Sequence, residues 1–535
     1  MELPQLMELA LRHHRAGEFS QAEALYRRLL AAAPEQFDAL HLLGVLSRQS
    51  GDLPRAISLI SQAVSIDDRQ PAAFNNLGVA YQAAGRLDEA ELSYRRALGL
   101  MPEYADAHFN LGVVLMAAGR YGEAELSYRK AIELKPDGVE AYNNLGATLR
   151  ALGKPEEAET AYRQALRLKP SADIFGNLAA TLRTLGKAPE AEFAYRQALA
   201  LDPDFVAAEH NLSLLQLLQG NYEEGFARNE ARFAVGTGKR YQELILSRFS
   251  GNKRWQGEPL AGRFLLVVTE QGFGDNLMMM RYLPLLREQK PGRLMVCCHR
   301  ASLLRTLQAM PGVDDVVLLE QVETLGELDL YCPSMSLPHL CGSRLGTIPD
   351  RVPYLSLPTG MREPWLSRLA GMQGRRVGLA WAGCALNQSD GERSIPLESF
   401  APLMKVKGVC IVSLQEGDAA GELRRLGWDI IDWMAECPDF MDTAPLVAEL
   451  ELVITVDTAV AHLAGALGKP VWLLNRFAGE WRWLLERNDS PWYPSMRIFR
   501  QPQPGDWESV IRQVADELGA LVAEEVGSRG IFMPP

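Results

Sequence analysis

The stretch NLGVAYQAAGRLDEAELSYRRALGLMP (Asn76–Pro102) returns 34 residues later as NLGVVLMAAGRYGEAELSYRKAIELKP (Asn110–Pro136), and that return decides the fold of the first half of the chain. The same marks recur on both sides of it. Gly17, Gly51, Gly85, Gly119, Gly153, Gly186 and Gly220 are spaced by 34 residues, with a single spacing of 33. Leu-Gly pairs stand at 43–44, 77–78, 111–112 and 145–146. Ala22, Ala56, Ala90, Ala124, Ala158 and Ala191 form a third ladder, and Tyr26, Tyr94, Tyr128, Tyr162 and Tyr195 a fourth. Pro34, Pro102, Pro136, Pro170 and Pro203 close the units. A period of this length describes stacked pairs of short amphipathic helices. The first glycine ladder marks the turn inside each pair, and Gly44, Ala56 and their equivalents let the two helices approach closely. The tyrosine is expected to fill the space between successive units. Proline opens a new unit because it cannot extend the old helix. Two departures stand out: Ala179 replaces a ladder glycine at the shortened spacing, and Gly225 replaces a ladder alanine near the end of the array.

These ladders resemble the tetratricopeptide repeat (TPR) over residues 1–236. The resemblance implies an α-helical solenoid with a concave groove. Asn76, Asn110, Asn144 and Asn177, joined by Asn75, Asn143 and Asn211, recur beside the Leu-Gly ladder. In TPR proteins such ladders often hydrogen-bond an extended peptide, so a protein or peptide partner is expected there. The alternatives are solvated polar helix positions and a solenoid that serves only as spacer or dimerising module.

Composition separates the two halves. Of the 535 residues 47% are apolar and 23% charged, an ordinary globular mix. All seven Cys and all ten Trp lie after residue 254. The net charge of −12 argues against nucleic-acid binding, which needs clustered Lys and Arg. No apolar run reaches the ~20 residues of a membrane helix, and the N-terminal stretch has no signal-peptide pattern. No paired CxxC motif is present, and reduced thiols in the cytoplasm are the simplest reading of the cysteines.

After residue 255 the pattern changes to apolar runs of five to seven residues separated by amphipathic stretches. RFLLVVT (263–269), RLMVCC (293–298), DVVLLE (315–320) and DLYCP (329–333) form one series. RRVGLAWAG (375–383), GVCIVSL (408–414), WDIID (428–432), LELVITV (450–456), PVWLLN (470–475) and RIFR (497–500) form another. Such runs predict parallel sheets buried on both faces, that is, two Rossmann-like lobes. The expected division is a solenoid at 1–236, a connector at 237–262, an N-terminal lobe at 263–355, a linker at 356–374, a C-terminal lobe at 375–527 and a tail at 528–535. Ligands of such sheets bind at the carboxyl ends of strands, which directs attention to three turns. Thr269–Asn276 carries Gly272, Gly274 and Asp275; Asp275 is either functional or a helix cap. The loop after 375–383 carries Arg393, suited to a phosphate or simply exposed. Asp457-Thr458-Ala459 opens a helix whose free N–H groups suit a diphosphate, with His462 one turn on; a cap and a core histidine are the alternative.

The run VDTAVAHLAGALGKPVW (456–472), with Gly274-Asp275 and Arg393, resembles the ADP-heptose:lipopolysaccharide heptosyltransferase family, glycosyltransferase family 9. The likeness extends over about 263–500 and is nearer to bacterial proteins that join TPRs to this domain. It implies the two-lobed GT-B fold and an inverting glycosyltransferase. By that resemblance Asp275 is the catalytic base, and Gly272, Gly274, Arg393, Gln415, Asp457, Thr458, Ala459 and His462 bind the nucleotide-sugar donor. No Asp-x-Asp metal motif lies in a suitable loop, so neither metal nor cofactor is expected. Ala459 where the family has glycine, and NRFAGEW (475–481) where it has a Gly-Pro turn, leave the donor open. The fusion resembles O-GlcNAc transferases and flagellin glycosyltransferases, which implies a protein Ser/Thr acceptor recruited by the repeats. The alternatives are a non-catalytic TPR adaptor and a transferase acting on a glycan or lipopolysaccharide. The oligomeric state is left open.

Overall fold

In the computed structural model, residues 2–383 and 390–530 are described, and they form two compact units that divide between Phe205 and Val206. Met1, residues 384–389 and the last five residues of the expected tail lie outside the described residues.

The first unit consists of twelve described helices in six pairs, from Leu3–Arg15 to Ala188–Leu201. The ladder glycines sit at the turn within each pair with φ near +75°, for example +74° at Gly85 and Gly119. Only glycine takes this conformation without cost, which explains the ladder. The second glycine ladder has a different cause. A Cβ on Gly78 would lie 2.5 Å from the Tyr94 ring, and one on Gly112 or Gly146 would lie 2.7 Å from Tyr128 or Tyr162. Each of these tyrosines is buried. These tyrosines pack on the glycine of their own pair, and Tyr26 also shares an apolar cluster with Ala39, Leu43 and Leu46 of the next pair.

Polar contacts also join one pair to the next. The Asn110 amide donates to Asn75 Oδ1 (3.0 Å), the Asn177 amide to Asn143 Oδ1 (3.2 Å), and Asn76 bonds His41 (2.9 Å). On the second helices, Arg95, Arg129 and Arg163 each bridge to Glu123, Glu157 and Glu190 of the next pair. Arg120, Lys154 and Lys187 reach back to Glu91, Glu125 and Glu159. Single exposed pairs contribute at most about 1 kcal/mol, so apolar packing remains the main support of the stack.

The second unit begins with the seventh helix pair, Val206–Leu218 and Tyr222–Arg228. The boundary between units thus falls before residue 206, not at the expected 236. Tyr222 and Phe226 explain this, because they pack on Trp481 and Trp492 with ring centroids 5.5–6.4 Å apart. The Trp492 indole also donates to the Tyr222 hydroxyl (3.1 Å).

Two parallel sheets follow. The first contains β1 (Lys253–Arg254), β2 (Phe264–Val268), β3 (Arg293–Cys298), β4 (Asp315–Leu318) and β5 (Leu330–Pro333), in the order β1-β5-β2-β3-β4. The second contains β6 (Arg375–Ala380), β7 (Val409–Ser413), β8 (Ile431–Asp432), β9 (Leu452–Val456), β10 (Val471–Asn475) and β11 (Met496–Arg500), in the order β11-β10-β9-β6-β7-β8. All strand pairs in both sheets are parallel. Cys297 and Cys298 are adjacent on β3 and therefore point to opposite faces, into separate apolar clusters. Both are free thiols. After β10 the chain makes a short turn, Trp481–Trp483, ended by Leu484 at φ +50°. The strand order reverses beside β2 in the first sheet and beside β6 in the second. Such switch points create crevices at the carboxyl ends of the flanking strands.

Gly112→Ala forces a methyl group into the Tyr128 ring and should cost about 1–3 kcal/mol. Gly99→Ala, where the helix has open space, should instead stabilise by up to about 1 kcal/mol. Urea denaturation of both variants checks this pair of outcomes.

Candidate functional site

β2 ends at Val268, and Thr269-Glu270-Gln271-Gly272 carries the chain to the helix Phe273–Met279. Asp275 sits in the first turn of that helix, where its Oδ2 accepts the Gly272 N–H at 3.2 Å. That bond is the capping role weighed from sequence. The other oxygen, Oδ1, accepts from the guanidinium of Arg482, which follows β10 in the second sheet. Gly274 is required by proximity: a Cβ there would collide with the His462 ring. The turn after β2 and the helix Ala459–Ala466 after β9 are thus packed together.

His462 is buried, stacked on Trp483 (centroids 5.3 Å apart), with Nδ1 hydrogen-bonded to the Tyr493 hydroxyl at 2.9 Å. Burial and then the nearby Arg482 and Arg281 hold its pKa well below the usual value, so the ring is neutral. The expectation that His462 faces a donor is corrected to a core position that seats Gly274. Arg281 braces the same region: its guanidinium donates to the backbone carbonyls of Pro349 (3.1 Å) and Trp492 and lies 4.6 Å from the Tyr493 ring centre.

On the second sheet, Arg393 Nη1 donates to the Asp457 carbonyl (3.1 Å) and Nε to Asp390 (3.1 Å), with the guanidinium lying over Gly383. Thr458 is the N-cap residue of the helix that begins at Ala459, and its hydroxyl bonds Thr455 at 3.1 Å. The Thr458 side chain itself makes no capping bond to this helix start. Gln415 lies elsewhere in purpose: its Oε1 accepts the Trp381 and Ala382 N–H groups at 2.9 and 2.8 Å, and its Nε2 donates to Ala382 and Glu416 carbonyls. All its bonding capacity holds the turn after β6, so the expected nucleoside contact is corrected to a structural one.

The structure therefore brings together Gly274, Asp275, Arg393, Asp457, Thr458 and Ala459. It adds Arg482 and Glu480, which sequence reasoning missed. Their only sequence signal was a charged pair inside the tryptophan-rich run GEWRW. Arg482 is charged and nearly buried, and Asp275, Glu480 and Asp457 surround it. Chemically, a carboxylate from one sheet and two guanidiniums on the other meet near a helix start that Thr458 does not cap. Among the described residues, no group of three or more His, Cys, Asp or Glu side chains is disposed to hold a metal ion.

Comparison with known proteins agrees on the first unit. Residues 7–73, 75–139, 139–171 and 172–205 match tetratricopeptide repeat families. Protein FlbA of Caulobacter vibrioides is 28% identical over 354 residues, covering 60% of this chain and 56% of that protein. The chain thus spans little more than half the length of this relative. The matched share exceeds what the 205 residues of the repeat unit supply, so the likeness runs into the second unit. Among solved structures, MamA is 28% identical, covering 30% of this chain and 94% of MamA (TM-score 0.29). YrrB, described as a TPR protein with an unusual peptide-binding site, is 23% identical over 35% of this chain and 96% of its own (TM-score 0.32). PilF of Pseudomonas aeruginosa is 19% identical over 39% and 96% (TM-score 0.36). Among the described residues, no helix is long and apolar enough to cross a membrane.

The Asp457 carboxyl is pushed up to about 6, first by burial and then by Glu480, against the pull of Arg482 and Arg393. The folded state keeps a proton there that the unfolded chain has lost, so stability falls as pH rises from about 4 to about 6. Asp457→Asn should match the parent in melting temperature near pH 4 and exceed it by pH 7. A difference that does not change with pH would contradict this assignment.

Proposed function

We propose that the chain is a TPR-guided glycosyltransferase of GT-B type, moving a sugar from a nucleotide-sugar to a Ser or Thr hydroxyl of a polypeptide. One observation carries the reading. Asp275 at the switch point of the first sheet meets Arg482 of the second, with Arg393 on the Asp457 carbonyl near a helix start that Thr458 does not cap. A general base and a cationic seat for a leaving diphosphate are what an inverting transfer requires. Asp275 takes the proton of the acceptor hydroxyl as its oxygen bonds the anomeric carbon. The bond from that carbon to the donor phosphate oxygen breaks, and the diphosphate leaves with the electron pair. Arg393, Arg482 and the N–H groups at 458–460 offset its charge. In this step a phosphate takes over Arg482 and frees Asp275 Oδ1 for the hydroxyl. The solenoid supplies the acceptor, which accounts for six or seven repeat pairs that a small-molecule enzyme does not need. No cofactor enters, and the donor is a substrate.

A second reading, a TPR adaptor with a silent transferase fold, has its own support: Asp275 and Arg482 satisfy each other without a ligand. Asp275→Asn separates the two. It keeps shape and cap geometry but removes the base. Transfer of radiolabelled sugar from nucleotide-sugars to protein should fall at least 10³-fold, while nucleoside diphosphate binding persists. Parent protein that transfers nothing from any nucleotide-sugar favours the adaptor.

A further inference from the structure

The neighbouring strands β10 and β11 both end in a polar residue, Asn475 and Arg500. The two are register partners, so their side chains leave the same face of the second sheet. Asn475 is 1% exposed, and among the described residues neither polar atom of its amide has a hydrogen-bond partner. Arg500 donates through Nη2 to the backbone carbonyls of Trp483 (3.1 Å) and Leu484 (2.5 Å). Its Nη1 is buried and has no partner among the described residues. A Cβ on Gly479 would lie 2.4 Å from that Nη1 and 2.8 Å from Asn475 Nδ2. The two nitrogens therefore face one point beside the loop that follows β10, and glycine at 479 keeps a side chain out of it.

Charge decides what belongs there. Arg232 is answered by Glu270 and Glu230, and Arg482 by Asp275. Among the described residues no carboxylate answers Arg500, and burial alone pushes its guanidinium down to about 10. A buried cation without a counter-charge is costly, and a neutral water does not cancel it. A guanidinium N–H and an amide N–H that converge under loop backbone suit a compact anion. The surrounding bonds tie that anion to the loop. Gln501 Oε1 accepts the Phe477 N–H at 3.1 Å near one end, and Arg500 holds Trp483 and Leu484 at the other. Arg482 stands between these ties, bonded to Asp275.

We propose that Arg500 and Asn475 bind a monovalent anion of halide size, which fixes the loop that presents Arg482. This role serves a transferase and an adaptor alike. Crystals of the full chain grown with sodium bromide should show an anomalous bromide peak at hydrogen-bond distance from Arg500 Nη1 and Asn475 Nδ2. In solution, replacing sodium gluconate by sodium chloride at constant ionic strength should raise the melting temperature of the full chain by about 2–4 °C and then saturate. Asn475→Asp gives Arg500 a carboxylate of its own, and Arg500→Gln removes the charge. The chloride effect should vanish in both. Equal melting of the parent in the two salts, as a bound water alone predicts, would overturn the proposal. So would crystals with no bromide at Arg500, or variants that keep the full chloride effect.

Discussion

The close approach of Gly274 to His462 is the contact on which the second unit's site depends. It brings the turn after β2 against the helix after β9, and only glycine leaves room for the imidazole ring. His462 is held in turn by Trp483 and Tyr493. With the two turns in contact, Asp275 reaches Arg482 across the sheets. A side chain at 274 would separate the carboxylate from its cation before altering any residue that bears chemistry. The neutral, buried histidine is thus a spacer of fixed size.

The same principle governs the repeats. Gly78, Gly112 and Gly146 admit tyrosine rings inside each helix pair, while asparagine amides and charged ladders join one pair to the next. The seventh pair breaks the rule. Tyr222 and Phe226 turn to Trp481 and Trp492, so the last pair belongs to the core of the α/β unit. That explains why the chain's tryptophans begin where the repeats end: the large rings anchor a repeat-like hairpin to a globular body.

Periodicity made much of this legible. The glycine turns, helix pairs and most parallel strands follow from spacings and apolar runs, because local sterics and burial dictate them. The three turns at strand ends were found by the same logic. Burial direction was not legible. Gln415 and His462 carry the same functional groups whether they face a ligand or hold the protein, and only packing decides which. Arg482 escaped because its partner lies some two hundred residues earlier in the chain. The boundary was misplaced because Tyr222 occupies a helix start like any other until Trp492 is seen against it.

The central claim is that the meeting of Asp275, Arg393 and Arg482 marks a nucleotide-diphosphate seat. Calorimetric titration of the full chain with a panel of nucleoside diphosphates tests it most directly. One diphosphate should bind once per chain, and Arg393→Ala should weaken it at least tenfold, since a charge-assisted bond is lost. Binding by none of the panel, or equal binding by the variant, would contradict the account.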